Sequence, residues 1–256
     1  MSNKRNIGIV VMSRMESSRL PGKALKKIGD YYSLELCLLN CKKIKKIKNV
    51  ILATTNLKKD KILVKKFNKK YKVFKGESKN VLKRILDVCN KYDFKDVVRV
   101  TGDCPFISPS IIELLIKVHK KEKSDITMIK KGAAGTYGEV YKVEALREII
   151  ANIKNTDYSE YLPYYFINNK ERFSMKKINL PSSLLRNYRI TLDYKKDLLM
   201  LNELVKKSGK EVIDLTTKNI FKILDQNPNI VKINSRIKLK YMNKDFQKKI
   251  KNFTKF

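Results

Sequence analysis

Arg14, Arg19 and Lys23 stand within ten positions of one another, with the hydroxyls of Ser17 and Ser18 between them. A triphosphate requires that combination: cations to offset several negative charges, and hydroxyl and backbone donors to orient the oxygens. The spacing is not Gly-x-x-x-x-Gly-Lys-Ser/Thr, so the segment is no Walker A loop. A solvated basic loop is the plain alternative in so lysine-rich a chain. Two of only ten arginines fall here, five residues apart, which favours the phosphate reading.

A second kind of chemistry is offered by Thr101-Gly102-Asp103-Cys104-Pro105. A carboxylate just past an apolar run is well placed to hold Mg²⁺, which takes one or two carboxylates and completes its shell with water and phosphate oxygens. Asp193, after Tyr188–Leu192, is the candidate second ligand. Either aspartate alone could equally be a turn or cap residue, and Asp197 reads as a helix-start residue. His119 lies among lysines and reads as a surface residue.

These residues need a scaffold that brings them to one edge. Ile7–Met12 is continuously apolar, the pattern of a parallel strand covered on both faces. Val50–Thr54 repeats the pattern, Val73-Phe74 gives a short strand, and Val97–Val100 another. Between them lie helical patterns around Leu34–Leu39, around Ile62, Leu63 and Phe67 on one face, and around Val81–Cys89. Ser108-Pro109 reads as an N-cap and first helical residue opening a helix through Ile111, Leu114, Leu115 and Val118. Alternating strands and helices predict an α/β fold with a mainly parallel sheet and helices on both faces. Ligands of such sheets sit beyond the carboxyl ends of the strands, where Arg14 and Asp103 both fall.

The second half is less regular. It holds a glycine-rich loop at Gly132–Gly138, an aromatic run Tyr158–Phe166 that reads as a helix, and a strand Tyr188–Leu192. The aromatic pairs Tyr161/Tyr165 and Phe67/Tyr71 read as core. Residues 1–256 read as a single domain, with a less regular C-terminal extension from about 210 and a lysine-rich, loosely attached helix after Ile237.

Composition narrows the class. No apolar run approaches the roughly 20 residues that span a bilayer, and the first residues carry no cleavable signal pattern, so the expectation is a cytoplasmic protein without membrane contact. Cys37, Cys41, Cys89 and Cys104 lack metal-ligand spacing and read as reduced thiols. The net charge of +33 raises a nucleic-acid reading. Only ten of the 58 basic residues are arginine and the lysines are spread along the chain. Diffuse lysine suits a solvated surface better than a phosphate-clamping face.

Arg14-Met-Glu-Ser-Ser-Arg-Leu-Pro-Gly-Lys23 resembles the nucleotide-binding signature of the acylneuraminate cytidylyltransferase family. Arg99–Pro105, Asp157–Phe166, Arg186–Tyr194, Asn227–Asn234 and Leu239-Lys-Tyr241 resemble the branch named after the spore-coat polysaccharide protein SpsF. The resemblance covers nearly the whole chain. It implies a Rossmann-like nucleotidyltransferase fold, a homodimer, and transfer of CMP from CTP to a sugar, a nonulosonic or related sugar acid, with release of pyrophosphate. Arg14, Ser17, Arg19 and Lys23 would hold the phosphates, Ser18 would join them as a nucleotide-binding hydroxyl, and Asp103 and Asp193 would bind Mg²⁺. Ser78 and Arg84 would sit near the nucleotide. Arg14, Lys23 and Asp103 are the expected catalytic residues. Two positions depart from the pattern: Glu16 puts a negative charge in the phosphate loop, and Tyr161 stands where many members have histidine.

Three rival readings remain: a sugar-phosphate nucleotidyltransferase using another NTP, a non-catalytic polyanion-binding protein, and a glycosyltransferase. The last more often carries an Asp-x-Asp motif, and none follows a strand here.

Overall fold

The apolar run Ile7–Met12 forms strand β1, buried along its whole length. It is part of a computed structural model that describes residues 6–45, 47–238 and 243–256. The short strands β2 (Lys27–Ile28) and β3 (Tyr31–Tyr32) pair antiparallel and lead into helix α1 (Ser33–Lys42). Then come β4 (Val50–Thr55), α2 (Lys61–Phe67), β5 (Lys72–Gly76), α3 (Val81–Lys91), β6 (Asp96–Thr101) and α4 (Pro109–Glu122). The chain continues with β7 (Ile126–Ile129), β8 (Glu139–Lys142), α5 (Val143–Asn152), α6 (Pro163–Ile167) and β9 (Met175–Ile178). It closes with α7 (Lys195–Ser208), α8 (Thr217–Gln226), α9 (Pro228–Lys232) and α10 (Lys244–Thr254).

Seven strands make one sheet in the order β5-β4-β1-β6-β8-β7-β9. β5, β4, β1 and β6 are mutually parallel, and β8 runs antiparallel to both β6 and β7. Alternation along β1 divides the core. Ile7, Ile9 and Val11 pack with Leu34, Leu63 and Leu115 on one face. Val10 and Met12 pack with Leu82, Leu146 and Phe166 on the other. The expected α/β architecture with helices on both faces is therefore present. Each fully buried aliphatic side chain stabilises it by roughly 1.5–3 kcal/mol. Register decides what reaches the ligand edge. Met12 is level with both Ala53 and Thr101, so the Ser13 loop and Gly102-Asp103 leave the sheet at one height.

A third cluster forms beyond that edge, where Leu20 of the cationic loop packs with Phe106, Ile190, Leu192 and α7 and α8 residues such as Leu201 and Phe221.

Several expectations are corrected. Tyr188–Leu192 is no sheet strand: its backbone pairs with the loop at Ala134, and Leu192 N donates to the Asp103 carbonyl at 2.8 Å. It lies above the sheet's edge, where loop carbonyls satisfy it. Only Pro163–Ile167 of the aromatic run is helical. Proline, with no N–H to give, opens that helix, and Tyr158 just before it sits at φ 65° in a turn. Ile62 is 41% exposed, because so short a helix as α2 turns only Leu63 and Phe67 inward. His119 is fully buried: it faces β7, where its Nδ1 meets the Thr127 hydroxyl at 2.9 Å. Helix α10 is docked, since Thr254 accepts from the amides of both Asn168 and Asn169 at 2.7 Å. The four cysteines are buried and unpaired. Met1–Arg5 and the Leu239-Lys-Tyr241 match lie outside the described residues.

Candidate active site

The cationic loop is closed on itself. Gly22 N donates to Met15 O at 3.1 Å, and Gly22 turns the chain at φ 68°, a conformation that glycine adopts without strain. Leu20, buried below, anchors the loop's far side. Ser17 spends its hydroxyl on the fold, accepting from Leu20 N at 3.3 Å. Arg14 and Ser18 face solvent. Glu16 pairs with Lys59 at 2.8 Å, so a cation from outside the loop meets its charge.

The loop's entry hangs on a residue with no place in the motif. Asp60 is fully buried, accepts from Met15 N at 2.6 Å and takes the Thr55 hydroxyl on its other oxygen. Asp60→Ala leaves both donors without their partner. We expect a loss of about 2 kcal/mol in urea unfolding and weaker nucleotide binding, because the loop is no longer pinned beside β4.

Asp103 and Asp193 converge on one ammonium. Lys23 Nζ lies 2.5 Å from Asp103 Oδ2 and 2.8 Å from Asp193 Oδ1. Burial alone would raise the Asp103 pKa, but the Lys23 charge and hydrogen bond outweigh it and hold the carboxyl at about 2. Burial likewise opposes the charge on Lys23, and the two aspartates override it and raise the amine above its ordinary value. The two carboxylates offer oxygen donors alone, with a cation already between them. That donor set fits a hard divalent ion such as Mg²⁺. Among the described residues no group of three or more His, Cys, Asp or Glu forms a ready-made metal cage. Two carboxylates whose shell is completed by phosphates and water is how Mg²⁺ is usually held.

Asp193 is fixed from behind. Arg19 Nη2 reaches its Oδ1 at 2.5 Å, and Arg189 Nη2 reaches its Oδ2 at 3.0 Å. Arg189 also forks onto fully buried Asp197 at 2.8 and 3.0 Å. Asp197 caps α7 by accepting from the backbone N–H of Asp193 and Tyr194, both at 2.9 Å. Asn234 closes the network, donating to Asp197 Oδ1 at 2.9 Å and to Arg189 O at 3.0 Å. Gly135 lets the glycine-rich loop approach this segment: at φ 95°, a Cβ there would stand 2.7 Å from the Ile190 backbone.

Ser78 and Arg84 lie at the turn from β5 into α3. Ser78 N donates to Glu77 Oε1 at 2.8 Å. Arg84 is only 3% exposed, donates to the Glu77 carbonyl, and is held down to about 10 by burial and by the nearby Arg14 charge. Its guanidinium thus shapes the turn from beneath. Sequence reasoning missed Asp60, Arg189, Asn234 and the wider task of Asp197. Arg189, Asp193 and Asp197 do recur every four residues, but only Asp197 lies in a helix, and nothing in the chain announces Asp60.

The cytidylyltransferase family model matches residues 8–245. The spore coat polysaccharide biosynthesis protein SpsF of Bacillus subtilis is 28% identical over 88% of this chain and 96% of its own. The 3-deoxy-manno-octulosonate cytidylyltransferase of Leptospira interrogans is 30% identical over 41% of this chain and 42% of its own. Among solved structures, a cytidylyltransferase from Leptospira borgpetersenii superposes with a TM-score of 0.82 at 25% identity, covering 91% of this chain and 99% of that one.

Proposed function

Because this chain belongs to the cytidylyltransferase family, we propose that it transfers CMP from CTP to a hydroxyl of a sugar acid, releasing pyrophosphate, in the synthesis of a surface polysaccharide. The convergence of Asp103 and Asp193 on Lys23, beside the Arg14–Lys23 loop, carries this reading. Similarity to the polysaccharide protein and to the sugar-acid cytidylyltransferase supports the product class.

The acceptor oxygen attacks the α-phosphorus in line. The bond from that phosphorus to the bridging oxygen breaks, and pyrophosphate departs with its charge. Chemistry of this kind rests on positioning and charge stabilisation more than on covalent participation by the protein. Arg14 is exposed and free of any ion pair among the described residues, so it is available to the outgoing phosphates. Lys23 would leave the carboxylates for the triphosphate when the substrate complex forms. Arg19 and Arg189 keep Asp193 oriented meanwhile. Asp103 and Asp193 would hold Mg²⁺, which supplies Lewis-acid stabilisation of the phosphate charge when bound. A carboxyl held at about 2 suits a ligand better than a base, so the hydroxyl proton passes to water.

CTP as donor implies a cytoplasmic reaction. No helix among the described residues is long and apolar enough to cross a membrane. The family resemblance extends to a homodimer.

Pyrophosphate release measured with each of the four NTPs and a panel of sugar acids and sugar phosphates tests the reading. CTP with a sugar acid should stand well above every other pair. Preference for another NTP with a sugar phosphate would defeat it.

A further inference from the structure

The turn at residues 158–161 holds the segment that follows Ser78, and nothing in the proposed chemistry uses it. Ser159 is fully buried. Its hydroxyl accepts from Val81 N at 2.9 Å and donates to the Lys79 carbonyl at 3.3 Å, so it clasps the segment that carries Ser78 and opens α3. Arg99, inside β6, donates to the Glu160 carbonyl at 2.8 Å and pins the same turn to the sheet. The turn is strained as well as pinned: Tyr158 holds φ 65°, which a side chain of that size rarely adopts.

Helix α10 supplies what holds it so. The Tyr158 ring packs on Phe253 at 5.0 Å and on Phe246 at 5.7 Å, and Tyr161 meets Phe246 edge-on at 5.2 Å. A continuous path therefore runs from the C-terminal helix through an aromatic cluster to a strained turn. It ends on the backbone beneath the candidate nucleotide segment. Strain maintained by surrounding packing is a common way of presenting a segment in one conformation.

We propose that Ser159 is a positioning residue for the nucleotide, and that α10 is the brace that keeps it in place. This rests on the reading of the chain as a CTP-dependent enzyme. Ser159 touches no reacting atom, so its loss acts on nucleotide binding and leaves the chemical step alone.

The test uses the full chain as wild type, Ser159→Ala and Phe246→Ala, each checked by circular dichroism. CTP binding by calorimetry without acceptor is compared with KM and kcat in the pyrophosphate assay. For Ser159→Ala we expect Kd and KM for CTP to rise roughly tenfold, the effect of one buried hydrogen bond, with kcat at saturating CTP within about twofold of wild type. Phe246→Ala leaves the clasp intact and only loosens the brace, so a smaller rise in the same direction is expected. It also decides the matter should Ser159→Ala fail to fold. CTP affinity unchanged in a folded variant, or a fall in kcat without a rise in KM, overturns the proposal. Wild-type protein that binds no CTP would instead remove the nucleotide reading beneath it.

Discussion

Asp103→Asn is expected to lose roughly 10³-fold in turnover with Mg²⁺ while remaining folded. The substitution keeps the side chain's size and one oxygen, so packing at the end of β6 is preserved. It removes the negative charge that Lys23 meets at 2.5 Å and that a divalent ion would meet in its place. Electrostatic groups aimed at developing phosphate charge act in a poorly solvated site, where each is worth several kcal/mol. The surrounding anchors stay, because Thr191 and Leu192 bind the Asp103 carbonyl and not its carboxylate. Pyrophosphate release against Mg²⁺ concentration is the measurement, with melting temperature as the control. Near-normal turnover would remove Asp103 from the metal's ligands.

Lys23→Met should produce two effects that separate its roles. Turnover with CTP falls roughly 10²-fold, since one cation facing the triphosphate is gone. In the absence of divalent ions the variant also melts below wild type, because Asp103 and Asp193 then face each other without the ammonium that offsets both. Adding Mg²⁺ should raise the melting temperature more in the variant than in wild type, where the ion competes with Lys23 for the same oxygens. Any ligand that binds only the native state stabilises it in this way. Equal Mg²⁺ responses in the two proteins would mean that the ion and Lys23 do not share the carboxylates.

The first half of the fold was legible because its strands are long and apolar. Ile7–Met12 and Val50–Thr55 are buried at every position, and periodicity has little else to explain in them. Ser108 and Pro109 marked the start of α4, and Ser108 does accept from Ile111 N. The antiparallel side of the sheet was harder to see. Strands β7, β8 and β9 have four residues each, and Met175-Lys-Lys-Ile178 shows no apolar run at all. They pair because the sheet already exists to receive them, which is a tertiary cause. Tyr188–Leu192 failed for the opposite reason: its alternation is strand-like, but its partners are loop carbonyls.

Within the site, the cationic loop and Asp103 were read from strand ends, where the topology makes position informative. Asp193 could be suggested only as a partner, since its meeting with Asp103 depends on a segment crossing above the sheet. The groups that hold these residues in place were invisible for a related reason. Asp60 and Asp197 act through backbone N–H groups, Asp197 also through the buried Arg189 guanidinium, and Asn234 through the Arg189 carbonyl and the Asp197 carboxylate, contacts that no local spacing encodes. Glu16 raised a question that the fold answers, because Lys59 pairs with it.

The central claim is that CMP moves from CTP onto a sugar acid. The direct measurement incubates the protein with CTP labelled at the α-phosphorus, Mg²⁺ and a panel of sugar acids, and follows the label. The account predicts that the label appears in a sugar-linked CMP, with one unlabelled pyrophosphate formed for each. Label that stays in CTP with every sugar acid, or that moves equally well from ATP, would contradict it.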